Sequence, residues 1–216
     1  MNSEKRGVLI GVVIGDGYLK ASPGCKTVSL VINHTARQRD YLEHKASLIG
    51  NALNCSPPEV KAFDNSGYPG VRLHKSHRYF RVLRNWLYRD TRKQLSRVIR
   101  YLTPQGLALW YMDDGGLGTG YRRGRVHRIE TFLNCHTSKE EAAKIADAVF
   151  DRFGIRFAPV ANGGSYRLRC GTREGRRFAQ IIAPFIVDGM RYKIDPLLIP
   201  TSAPALPTDM EARDIV

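Results

Sequence analysis

The sequence predicts an α+β fold made of two similar halves, residues 1–100 and 101–200, with a loosely ordered tail over 201–216. Three observations carry this. Two dense apolar runs, residues 8–14 and 107–113, each lead into Asp-Gly. Each is followed by alternating, strand-like segments and amphipathic helices. Four landmarks also recur in the same order: Asp16 and Asp114 are 98 residues apart, His34-Thr35 and His136-Thr137 102, Val71-Arg-Leu-His74 and Tyr166-Arg-Leu-Arg169 95, and Phe80 and Phe178 98. Offsets that drift by a few residues are those of a duplicated domain with loop insertions, not of a solenoid.

The elements follow in order. Ser3 can cap a helix over residues 4–15, too apolar all round to keep a wet face. Residues 17–20 read as a short strand. Residues 25–34 alternate, with Val28, Leu30 and Ile32 on one face, as a half-buried antiparallel strand does. Thr35-Ala-Arg-Gln38 has the form of a capping box opening a helix to about residue 53. Residues 60–63 and 71–74 are strands about the turn Asp64-Asn-Ser-Gly67, and 76–88 a helix. Thr103-Pro104 then restarts the pattern as N-cap and first helical residue. A glycine-rich basic hairpin spans 116–134, and the facing of its second strand, 126–134, is open. Thr137-Ser-Lys-Glu140 is a second capping box, for a helix to about residue 153. Strands at 155–160 and 166–170 and a helix over 174–186 complete the half. Prolines 200, 204 and 207 among Asp209, Glu211 and Asp214 mark the tail.

Composition narrows the function. The chain has 216 residues, 34 Lys+Arg against 20 Asp+Glu and a net charge of +14, which favours a polyanionic partner such as nucleic acid. A hydrophobic share of 43% supports a real core. No apolar run approaches the ~20 residues of a membrane span, and the run after Lys5 and Arg6 lacks the cleavage site of a signal peptide. Cys25, Cys55, Cys135 and Cys170 form no Cys-x-x-Cys pair, so free thiols in a reducing intracellular compartment are expected, with no membrane or secretion.

Asp16 and Asp114 both close an apolar helix. A helix C-terminus is its negative end, so a carboxylate there calls for a compensating cation. Two helices packed side by side would bring both acids to one end of the seam, an oxygen-rich pocket suited to Mg²⁺.

Leu9-Ile-Gly-Val-Val-Ile-Gly-Asp-Gly17 and Leu107-Ala-Leu-Trp-Tyr-Met-Asp-Asp-Gly115 resemble the two motif copies of the single-chain LAGLIDADG homing endonucleases. Tyr101-Leu-Thr-Pro104, Pro184-Phe-Ile and Met190-Arg-Tyr-Lys193 extend the resemblance over about residues 4–200. It implies two αββαββα halves related by a pseudo-twofold, each with a saddle-shaped four-stranded antiparallel sheet, joined at a two-helix seam in a monomer. Asp16 and Asp114 would hold the metal, Mg²⁺ or Mn²⁺, with the carbonyls of Gly15 and Asp113 assisting; Ca²⁺ would bind without supporting cleavage. Asp113 itself, one step off register, would be secondary. A basic residue from each half would face the scissile phosphate: Lys193, and Lys93 by its matching distance from the motif acid. His34 and His136 would organise water. Lys20, Lys26, Ser29, Asn33, Arg72 and His74, with Arg122, Arg123, Arg125, Arg167 and Arg169, would face the major groove from the two sheets. Gly11 and Gly15 in the first motif answer to Leu109 and Asp113 in the second, so the seam would be asymmetric. Ile14 and Met112 replace the motif's first acid.

The function implied is site-specific double-strand cleavage of a long asymmetric DNA target with short 3′ overhangs. Length without splicing blocks favours an intron product. An RNA maturase, with intron RNA as partner, and a non-catalytic DNA-binding regulator are the alternatives; the paired acids argue against the regulator.

Overall fold

The structure is a computed structural model describing residues 1–21, 27–123 and 125–198, with the backbone alone for Asn65, Arg122, Arg125 and Val126. Lys26, Cys25 and the tail 201–216 lie outside the described residues.

The first half runs α1 (Ser3–Ile14), β1 (Tyr18–Ala21), β2 (Val28–Thr35), α2 (Arg39–Leu53), β3 (Val60–Asn65), β4 (Tyr68–His77) and α3 (Arg78–Leu87). A two-residue ladder, β5 (Tyr88–Arg89) with β6 (Arg92–Lys93), and α4 (Ser96–Ile99) lead to the second half. That half repeats the order: α5 (Pro104–Asp114), β7 (Gly115–Arg122), β8 (Arg125–Thr137), α6 (Lys139–Phe153), β9 (Ala158–Asn162), β10 (Ser165–Cys170) and α7 (Thr172–Ile182). Short 3-10 turns and α8 (Asp195–Leu198) follow. The sheets share one topology, β1-β2-β4-β3 and β7-β8-β10-β9, antiparallel throughout. Each half packs its helices on one face of its sheet and leaves the other to solvent. The fold is α+β with a doubled four-stranded unit.

The halves meet where α1 packs on α5. Both helices are buried almost all round, which explains apolar runs without a polar stripe. Backbones touch here: a Cβ on Gly11 would lie 2.2 Å from the Gly106 carbonyl oxygen, and one on Gly106 2.3 Å from that of Gly7. Gly106 lies outside the motif, and Leu109 is plain core, so the close approach is asymmetric. Away from the seam, the Ser96 amide and hydroxyl both donate to the Glu141 carboxylate at 3.0 Å, and Arg152 Nε donates to the Leu102 carbonyl at 2.9 Å.

Several local expectations are corrected. Asn2, not Ser3, caps α1, its Oδ1 accepting from the Lys5 amide at 2.9 Å. Thr35 makes no capping bond; a 3-10 turn over Ala36–Gln38 comes first, because Gln38 turns back to His34. Ser138 caps α6, and Glu141, free of the capping box, reaches Ser96. Thr103 caps α5 through the Gly106 amide, with Pro104 at the first turn, as the sequence predicts. Facing in β8 is resolved: Ile129, Thr131, Leu133 and Cys135 point into the core, and Arg128, Glu130, Phe132 and Asn134 outward.

Candidate active site

The motif helices end side by side, and the site is built on their C-termini. Asp16 follows the α1 cap Gly15; Asp114 is the last residue of α5. Two lysines arrive from the segments that follow each half's third helix. Lys93 Nζ donates to the carbonyls of Val13 (2.7 Å) and Gly15 (2.9 Å), and Lys193 Nζ to that of Met112 (2.6 Å). Each ammonium thus satisfies orphan carbonyls at the negative end of a motif helix. The Tyr111 hydroxyl donates to the Lys193 carbonyl at 2.9 Å and fixes that segment. Burial lowers the pKa of both lysines, against the pull of the site's carboxylates.

Asp113 has a structural role that the sequence did not show. Its side chain is fully buried, as is that of Lys45, whose Nζ donates to Asp113 Oδ1 at 2.6 Å. The Tyr41 hydroxyl donates to the same oxygen at 2.8 Å, and the Asp16 amide to Oδ2 at 3.0 Å. Asp113 is a cross-seam ion-pair partner that fixes the backbone of Asp16. The pair fits because Gly15 leaves the room: a Cβ there would sit 2.2 Å from Asp113 Oδ2. Gly15's carbonyl, expected to assist a metal, accepts from Lys93.

His34 extends this network. Its Nδ1 donates to Gln38 Oε1 at 3.1 Å and lies 3.7 Å from Asp16 Oδ2, while Nε2 accepts from Lys45 Nζ at 3.1 Å. Burial, then the Lys45 ammonium, push its pKa down, so the ring is held neutral. His136 does not occupy the matching place. Asn33 pairs with Arg72, and Asn134 with Arg167, but the second register slips just beyond, before Thr137 meets Tyr166. Cys135 and His136 are the two extra residues of that bulge; His136 is exposed and at φ 44°, and Cys135 turns inward as His34 does. Cys135 is buried, and burial pushes its thiol to about 12. His136 lines a cleft of about 790 Å³ that Lys93, Arg92, Asp114 and Asn134 share.

The acids are left under-neutralised. Burial first, then the Asp16 and Asp113 carboxylates, push Asp114 up to about 7. Burial and Asp113 also raise Asp16. Among the described residues no donor reaches the Asp114 carboxylate. Ligand atoms of Asp16, His34 and Asp113 lie within 4.8 Å of one another. Asp113 already has the Lys45 cation, so the donors suited to a further cation are Asp16 and Asp114. Hard carboxylates with raised pKa values fit a divalent ion such as Mg²⁺.

The sheet faces carry the expected polar residues unevenly. Lys20, Asn33, Arg72, His74 and Arg169 are exposed on outer faces. Ser29 bonds Ser76 Oγ at 2.7 Å across the sheet. Arg72 donates to Asn33 Oδ1 at 2.8 Å and lies over Phe63; Arg167 lies 3.9 Å over Phe132. Arg169 reaches Glu130 at 3.4 Å. Arg123 is exposed in the β7–β8 turn at φ 50°, with the backbones of Arg122 and Arg125 beside it. Arg128, Phe132 and Asn134 join this face and were not read from sequence, because the strand's facing was open. Lys45 and Tyr41 were also missed. Their signal was a lysine inside the helical stripe Tyr41, Leu42, Ala46 and Ile49, where burial demands a partner.

Relatives agree with this architecture. The chain is 29% identical over 199 residues to a RecA protein of Mycolicibacterium chitae, covering 88% of this chain and 46% of that protein. It therefore spans less than half the length of the curated relatives it first matches. It is 24% identical over 220 residues to the DNA endonuclease I-ChuI of Chlamydomonas applanata, covering 90% and 95% of the two chains. The homing endonuclease I-WcaI, solved bound to its DNA recognition sequence, superposes with a TM-score of 0.73 at 22% identity, over 89% of this chain and 86% of that one. The sequence model of the LAGLIDADG DNA endonuclease family matches residues 6–178, and the chain belongs to that family.

Proposed function

We propose that this chain is a site-specific, divalent-metal-dependent DNA endonuclease that cuts both strands of a long asymmetric target as a monomer, leaving short 3′ overhangs. The observation that carries it is that Asp16 and Asp114 close the two seam helices side by side, with a lysine from each half on the helix-end carbonyls. I-ChuI and I-WcaI, similar over nearly the whole chain, are endonucleases by name, which supports the reading.

Asp16 and Asp114 would hold the divalent ions, Mg²⁺ or Mn²⁺, which when bound activate water and offset charge on the phosphate and leaving oxygen. Lys93 and Lys193 sit on the carbonyl ends of the first and second seam helices, where their ammonium groups would favour the negative charge that builds on each scissile phosphate. His34, held neutral and bonded to Gln38, presents a ring edge toward Asp16 and orders solvent on the first side only. The sheet faces offer Arg72, Asn33, His74, Lys20 and Arg169 for base edges and phosphates in the major groove. The halves 1–100 and 101–200 would each address one half-site.

Digestion of a randomised duplex library with Mg²⁺, followed by sequencing of the ends, tests this. Cuts at one recurrent sequence with 3′ overhangs, absent in EDTA, are expected. No cleavage with Mg²⁺ or Mn²⁺ overturns the reading.

A further inference from the structure

The far end of α1 carries a second cluster unrelated to the cleavage chemistry. Arg6 lies ten residues before Asp16, roughly 15 Å along the helix axis. Its guanidinium sits 4.9 Å from the Tyr101 ring centroid, and that of Arg100 4.8 Å from the same ring. Trp86 stacks on Tyr101 at 5.7 Å and 27°, yet stays 38% exposed. Asn85, Trp86, Arg97, Arg100 and Tyr101 line a pocket of about 250 Å³. The exposed face of α3 continues it with Arg78, Arg81 and Val82. This face points away from the sheet's outer surface, because α3 packs through Phe80 and Leu83 on the inner side.

Charge and symmetry make the cluster informative. Residues 78–101 carry eight arginines and lysines and one acid, Asp90. Among the described residues no ion pair involves Arg6, Arg81, Arg97 or Arg100. Two guanidiniums against one ring repel each other unless an anion joins them. Pro184 stands at the second-half position of Trp86, 98 residues on, so the cluster is not part of the duplicated apparatus.

We propose that Trp86, Tyr101, Arg97 and Arg100 form a second nucleic-acid site that takes a single strand, stacking an unpaired base on Trp86 and seating its phosphates on the guanidiniums. An acidic peptide would satisfy the arginines and leave the indole bare; a nucleotide satisfies both. A duplex hides its base faces and cannot use Trp86.

The test uses the full chain in EDTA with labelled oligouridylate and oligothymidylate of about 12 nucleotides. Trp110 is fully buried, so quenching of tryptophan emission on titration reports Trp86. Quenching is expected, with affinity falling roughly tenfold in Trp86→Ala and in Arg97→Ser/Arg100→Ser. The second variant changes only exposed side chains and guards against misfolding of the first. Tighter binding of the RNA strand identifies RNA as the source, and equal binding a single strand of either sugar. Unchanged affinity in the arginine double variant, displacement of the oligonucleotide by random duplex, or polyglutamate binding in its place would overturn the proposal.

Discussion

The two halves end their motif helices alike and support them differently. Each supplies an acid and a lysine against helix-end carbonyls. Behind Asp16, however, stand His34, Lys45 and Tyr41. Asn54 and Gly154 both close their helices in the left-handed conformation, and counting back from them Lys45 answers to Ile145 and Tyr41 to Glu141. Cys135 answers to His34. The halves share the acid and the lysine at the helix ends and differ around them, so the asymmetry lies one layer behind the acids.

The largest expected effect breaks what the halves share. Asp16→Asn or Asp114→Asn should lower double-strand cleavage below about 10⁻³ of wild type with duplex binding retained, as gel-shift and cleavage assays would report. The next targets what they do not share. Lys45→Met leaves a buried Asp113 carboxylate unpaired and should cost about 3 kcal/mol in urea unfolding. The double change Lys45→Ile/Asp113→Gly installs the pairing that the other side already has in Ile145 and Gly15, and should recover most of that loss. Equal destabilisation by both would mean that the ion pair is not the element responsible.

Lys93→Met and Lys193→Met should each slow one strand's nicking by about 10²-fold, read with differently labelled strands. Slowing of both strands by either change would show that the centres are not separable. The smallest effect concerns pH. Asp114 holds its proton up to about 7 when folded, against 3.8 unfolded. Between those values the unfolded chain releases this proton first, so this group's contribution to the stability of the metal-free protein falls as pH rises. Melting temperature should drop by a few degrees more in wild type than in Asp114→Asn across that window, and Mg²⁺ above pH 7 should restore it.

Much of the doubled architecture was legible because burial writes itself into apolar runs and alternation. Asp16 and Asp114 were visible as acids at the unfavourable ends of such runs. What stayed hidden depends on contacts distant in sequence. Asp113 is one step off register in the sequence, and its role is set by Lys45, 68 residues away. His34 and His136 match in sequence but not in place, since two extra residues in β8 shift the second histidine. Gly106 carried no signal of its own, because its role is set by the α1 backbone it touches.

The Lys45–Asp113 pair has a consequence for assembly. The lysine belongs to one half and the aspartate to the other. Two copies of the first half, joined at the same seam, would bury two Lys45 ammonium groups with no Asp113 to receive them. Two copies of the second would bury two Asp113 carboxylates with no Lys45 to pair them. Only the mixed union forms this buried pair, so the half-molecules carry a built-in preference against self-pairing, and any grafted half must bring the matching side of the pair with it.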